Sequence, residues 1–330
     1  MANVDATIDP RELPLVDTPQ VPGWSENYCF ELNCPDVGVG IFVHMSRQDF
    51  NRDLWRDILI AQIEGKQALV WKGYGKGAHA SGPGGAQLRG SCRESFKHWV
   101  LSFDGAAQLV PAAAMAPGAG ALPDGPYVQA RMSIDVVADG AVWELSKTIA
   151  GQSWANSHYE QSFRTSGELT VDGKTYRLDG VGSRDHSRGP RNWDGMGTHC
   201  WFQGGFPGGR RFIVLGMDGR PDPEKNRIRA AMIFNGTQMQ PAEVLHVDMA
   251  DDIKTGGGTR YSFHLRSSDG DEVFEAEQQQ ITTIALAPPN QILLGAEMGK
   301  GMITHIFHSP TRFTWNGEVC YGYTERSVLL

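Results

Sequence analysis

The chain has 330 residues, 40% of them hydrophobic and 21% charged, with a formal net charge of −8. This is an ordinary globular balance that excludes a disordered or fibrous protein, and the length has room for two lobes of roughly 100–200 residues each. The acidic surplus without a Lys/Arg cluster argues against a nucleic-acid partner, and no apolar run reaches the roughly 18 residues of a membrane span.

Residues 1–20 carry Pro10, Pro14 and Pro19 among acidic and small residues, which predicts an extended N-terminal arm. They lack the charged start and apolar stretch of a secretory signal, so the expected location is cytoplasmic. Order is expected from about Trp24. The segment Asn51 to Ile63 fits a short helical face through Leu54, Ile58 and Ile63 or a strand through Ile58-Leu59-Ile60, and the β-branched run favours the strand. Residues 111–126 are rich in Ala, Pro and Gly and read as a long loop, a common place for a lid.

Ala130, Met132, Ile134 and Val136 alternate with polar residues, as do Tyr261, Phe263 and Leu265, which is the period of half-buried strands. Between such runs stand Asp104-Gly105, Asp139-Gly140, Asp172-Gly173, Asn235-Gly236, Asp269-Gly270 and Asn316-Gly317. These dipeptides favour type I′ hairpin turns because both residues tolerate positive φ. The expectation is an all-β chain of two antiparallel lobes. The break falls near residues 150–158, giving lobes at 21–155 and 156–330. Five cysteines, Cys29, Cys34, Cys92, Cys200 and Cys320, form an odd set without CxxC spacing and read as buried free thiols.

Functional side chains are densest from Gly182 to Trp193, where Arg184, Asp185, His186, Arg188, Arg191 and Trp193 fall within ten residues. One reading is a turn pinned by Arg–Asp bonds. The other is a site: a carboxyl facing an apolar cavity has its pKa raised and can deliver a proton. Glu26 and Tyr28 share one strand face; Glu297, His305 and Glu325 sit near the last strands; Tyr74 and Tyr323 can donate to a substrate oxygen. Glu26 and Glu325 fit equally well as carboxylates paired with arginine, and most tryptophans as core. His158, His186, His199 and the His305-x-x-His308 pair raise the question of a metal. Two histidines three apart on a strand face opposite ways, so no metal and no cofactor is expected. Gly73–Gly77 and Gly204–Gly209 lack the strand-to-helix setting of a nucleotide loop.

The segment His158 to Trp193, with its RDHSRG core, together with Gly299–His308 and Tyr321–Ser327, resembles the carotenoid 1,2-hydratase and AttH-like family. Gly23–Leu32 (GWSENYCFEL) is similar to the first lobe of that family's relatives. Arg188 stands where the family usually carries an aromatic residue. The resemblance implies two lipocalin-like β-barrel or curved-sheet lobes around an apolar pocket. It also implies cofactor-free chemistry on olefins, in which an aspartate protonates a double bond. Asp185 holds the matching position as acid, with His186 as its orienter or partner base. Arg184, Trp193, Glu26, Tyr28, Tyr74, His199, His305, Tyr323 and Glu325 are the accompanying binding candidates. The expected function is a lyase, hydratase or isomerase, including a cyclase, acting on a hydrophobic terpenoid or aromatic molecule. The alternative is a carrier that uses the same cavity without chemistry. Barrels of this kind pair readily, so a homodimer is compatible with the fold, and no sequence feature fixes it.

Overall fold

The computed structural model describes residues 8–48, 51–77, 82–150, 156–191, 195–206, 209–236, 238–250, 258–287, 291–296 and 303–330. Turn chemistry sets much of the strand order. Asp172 and Gly173 take φ of 47° and 82°, and Asn316 and Gly317 take 49° and 88°, so both pairs close tight hairpins. Asn235-Gly236 and Asp269-Gly270 also lie at hairpin ends. Asp104-Gly105 does not turn. It lies inside a strand, where pairing to Arg131 and Ala130 continues unbroken on one side while the neighbour changes on the other. Asp139-Gly140 links two strands that do not pair with each other.

The strands in chain order begin with β1 (Trp24–Cys34), β2 (Val39–Gln48), β3 (Asn51–Ile63) and β4 (Gln67–Lys76). The ambiguous 51–63 segment is thus a strand. Next come β5 (Leu88–Glu94), β6 (His98–Pro111), β7 (Gly120–Ala121), β8 (Tyr127–Ala138) and β9 (Trp143–Glu144). Then follow β10 (Ser157–Val171), β11 (Lys174–Arg177) and β12 (Gly180–Pro190). The remainder is β13 (Thr198–Gly205), β14 (Arg210–Asp218), β15 (Arg227–Asn235), β16 (Gln238–Val247) and β17 (Arg260–Ser267). The chain ends with β18 (Gly270–Gln278), β19 (Thr282–Ala287), β20 (Gln291–Ala296), β21 (Thr304–Trp315) and β22 (Glu318–Leu329).

The antiparallel pairings close two eight-stranded circuits. One runs β1-β2-β3-β4-β6-β8-β10-β12 and back to β1. The other runs β13-β14-β15-β16-β17-β18-β21-β22 and back to β13. Closure removes the exposed edges that an open sheet would present. The expected break at 150–158 falls inside the first barrel, because β10 and β12 fill the gap between β8 and β1. The barrels part after Pro190.

Each barrel has its own apolar interior, one built around Phe30, Leu59 and Trp99 and the other around Phe212, Phe263 and Trp315. A third apolar cluster joins outward residues of both barrels, among them Phe42, Ile58, Trp201, Leu215 and Ile306. The long loop after β6 contributes Met115 to that cluster, and its short strand β7 pairs with β20. Every residue of β1 is buried, the signature of a strand covered on both faces. All five cysteines are buried and free. Among the described residues no helix is long and apolar enough to cross a membrane.

Candidate functional site between the barrels

Strand alternation divides the RDHSRG segment. In β12, Arg184 and His186 point into the first barrel while Asp185 and Ser187 point out, toward the second. The inward set is a closed ionic network. Glu12 from the arm enters the barrel mouth, where it accepts from Arg184 Nη2 at 2.9 Å, Trp99 Nε1 at 2.8 Å and the Phe96 amide at 3.1 Å, and from the Tyr159 hydroxyl. The arm is therefore turned and docked, not extended, over its described part. Glu26 meets His186 Nε2 at 3.1 Å, Arg47 Nε at 2.7 Å and Arg188 Nε at 2.8 Å. Burial works against its charge, but His186 and the two guanidinium groups prevail and hold it at about 2. His186 Nδ1 donates to the Arg11 carbonyl at 2.9 Å, and the ring stacks on Tyr28 at 3.7 Å.

The outward set lines a cavity of about 110 Å³ between the barrels. The strand register builds its polar wall. One row runs His44, Cys29, Asp185, Glu160 across β2, β1, β12 and β10; the next runs Ser46, Asn27, Ser187, His158. The second barrel supplies a matching row, Leu215, Trp201, Glu325, His308, from β14, β13, β22 and β21. Ile284, Leu286, Ile292 and Ile306 complete an apolar wall.

Glu160 and Asp185 are direct cross-strand partners, an arrangement that disfavours two like charges. Burial raises Asp185 to about 7, against the opposing pull of Arg191 and the Ser187 hydroxyl. Burial, then the Asp185 charge, raises Glu160 well above the ordinary carboxyl value. His158 Nε2 lies 2.9 Å from Glu160 Oε1, and Glu160 Oε2 has no hydrogen-bond partner among the described residues. Burial keeps His158 neutral, down to about 3, with Arg191 adding to the effect. Across the cavity burial holds His199 at about 4 and, aided by His199, His308 at about 3. Glu325 is raised to about 8 by burial and then by Asp185. At neutral pH burial favours the protonated form of Glu160 and Glu325 and the neutral form of the imidazoles.

Of the residues singled out by sequence, Asp185, His199 and Glu325 line the cavity, as do His158, Arg191 and His308. His186, Arg184, Glu26 and Tyr28 do not: they occupy the first barrel's interior, because consecutive strand residues alternate faces and no turn separates 185 from 186. His186 thus loses the part of partner base. His305 is buried on the opposite face of β21 from the cavity-lining Ile306 and His308. Tyr323 is buried against Gln62, whose Nε2 donates to its hydroxyl at 2.8 Å, outside the lining. Tyr74 is 54% exposed at the surface. Trp193 and Glu297 lie outside the described residues. Sequence reasoning passed over Glu160, Glu31, His44 and Arg56. The alternation His158, Glu160 in one strand and Asn27, Cys29, Glu31 in another was the available signal, but it reads as a solvated face until a second barrel covers it.

Fold and site together define a two-barrel, lipocalin-like protein with an acid-lined cavity at the junction. Residues 17–328 match the domain of unknown function DUF7064, and the chain belongs to that family. A comparison with curated proteins gives no match. Among solved structures, CghA with Sch210972 is similar at 13% identity and a TM-score of 0.55, over 94% of this chain and 89% of that one. CghA alone gives 12% identity and a TM-score of 0.53, over 98% of this chain and 96% of that one. Kievitone hydratase from Nectria haematococca gives 13% identity and a TM-score of 0.50, over 98% and 95%. The two-lobed fold implied by the AttH-like resemblance is the fold of this chain.

Proposed function

We propose that the cavity between the barrels is an acid–base active site for a hydrophobic, olefinic or aromatic small molecule, of the hydratase, lyase or isomerase class, cyclisation included. The observation that carries this reading is the Asp185–Glu160 pair, two cross-strand carboxyls raised by burial beside an apolar wall. Asp185 acts as general acid, and Glu160, held by His158, is a second buried carboxyl beside it. In a hydration, the carboxyl proton goes to one carbon of the double bond and water adds to the other. The oxonium so formed then returns a proton to the carboxylate, so the acid is regenerated without a further reactant. Kievitone hydratase is by name a hydratase and CghA is seen with a small molecule, which supports the class while leaving the substrate to experiment.

The test is turnover of a panel of olefins and aryl-propanoids by the wild-type chain, Asp185→Asn and Glu160→Gln. The expected loss in each variant is about 10²–10⁴-fold, the usual weight of a positioned acid. Unchanged turnover in Asp185→Asn would remove the assigned acid. Tight binding with the ligand returned intact by the wild type would make the protein a carrier instead.

A further inference from the structure

Donors from both barrels converge at the junction. His308 Nδ1 lies 2.9 Å from Glu31 Oε1 and 3.6 Å from Glu325 Oε2, and His199 Nδ1 lies 3.4 Å from Glu325 Oε1. One donor atom from each of Glu31, His308 and Glu325 falls within 4.8 Å of the others. Donors bound at about 2.0–2.2 Å to one first-row dication sit about 3.0–3.6 Å apart, so these separations suit a common ion. Glu31 and His308 are fully buried and His199 is 8% exposed. Even so, Glu31 Oε2 makes no hydrogen bond among the described residues, and Nδ1 is the His308 atom that faces both carboxyl groups. Buried polar atoms left so are costly unless something else meets them.

We infer that Glu31, His308 and Glu325 form a binding site for one divalent transition-metal ion that ties the two barrels together. One imidazole and two carboxylates are a mixed donor set suited to zinc, cobalt, iron or manganese. A dication with two carboxylates and a neutral imidazole carries no net charge, which a buried site favours. The backbone prepares this set. His308 and Glu325 are register partners on β21 and β22, while Glu31 projects from β1 of the first barrel. This goes against the expectation that the chain takes no metal, which rested on His305-x-x-His308. The ligand set instead joins His308 to Glu31 and Glu325 from different strands. The ion would border the cavity that Asp185 lines, and the two assignments are read separately, one by metal binding and the other by turnover.

The experiment uses the untagged full-length chain stripped with a chelator and then titrated with Zn²⁺ and with Co²⁺. Calorimetry and the visible cobalt absorption report binding. One ion per chain is expected. His308→Ala and Glu325→Gln should each weaken binding by about tenfold or more, and Asp185→Asn should leave it unaltered. Glu31→Gln serves if these two variants fail a circular-dichroism check of folding. No saturable binding by the wild-type chain would overturn the site. So would wild-type affinity in the folded ligand variants, or loss of binding in Asp185→Asn.

Discussion

The inside of the first barrel and the cavity just outside it are built from neighbouring residues of the same strand, yet they treat charge in opposite ways. Inside, Glu26 faces His186, Arg47 and Arg188 and is held ionised, at about 2. One residue from His186, on the other face of β12, Asp185 meets Glu160 and an apolar wall and is raised to about 7. Burial opposes charge at both places. Partners decide the outcome: two guanidinium groups and an imidazole outweigh desolvation inside, whereas Arg191, the Ser187 hydroxyl and Arg184 only partly offset it outside. The interior network is therefore scaffold, and it docks the arm, while the cavity keeps carboxyls raised by burial.

The largest effect expected from this contrast is on stability. Arg184→Met leaves Glu12 buried without its main cation and should cost about 3–5 kcal/mol in urea unfolding, and it should expose the arm to proteolysis. Asp185→Asn should cost nothing and should stabilise at neutral pH. Equal destabilisation by both would erase the distinction between the two regions.

The pH dependence sharpens it next. The folded pKa of Asp185 is raised from 3.8 to about 7, so the folded state holds the extra proton in that window. Its contribution to stability falls as pH rises from about 4 to 7, and Asp185→Asn should flatten that fall in melting curves. Turnover should fall above about pH 7 as the acid is lost; the groups facing it are Glu160, His158, Cys29 and Arg191, with Glu325 and His199 across the cavity. Glu26 behaves oppositely. Its folded pKa is lowered from 4.5 to about 2, so its contribution is present above 4.5 and is lost as pH falls toward 2, a loss that Glu26→Gln should flatten.

Smaller effects come from the candidates outside both regions. Tyr323→Phe removes the bond with Gln62 and should cost about 1 kcal/mol with little change in turnover. Tyr74→Ser, on an exposed side chain, should stay within about 0.5 kcal/mol. A tenfold loss of turnover in either would bring that tyrosine back as a substrate contact.

Local rules carried by the amino-acid order determined the strands, most of the turns and the all-β class. The period-two alternation of Ala130 to Val136 and the positive-φ pairs Asp172-Gly173 and Asn316-Gly317 need only near neighbours to act. They also determined that Asp185 and His186 point to opposite faces of β12. Only the tertiary structure decided which face was which. The outer side of β1, β10 and β12 carries Asn27, Cys29, Glu31, His158, Glu160 and Asp185, a composition that suits water as well as a cavity. It became a cavity because β13, β14, β21 and β22 of another barrel pack over it and remove the solvent. That desolvation needs residues from β1 to β22 brought to one cavity, so no local window of sequence could report it.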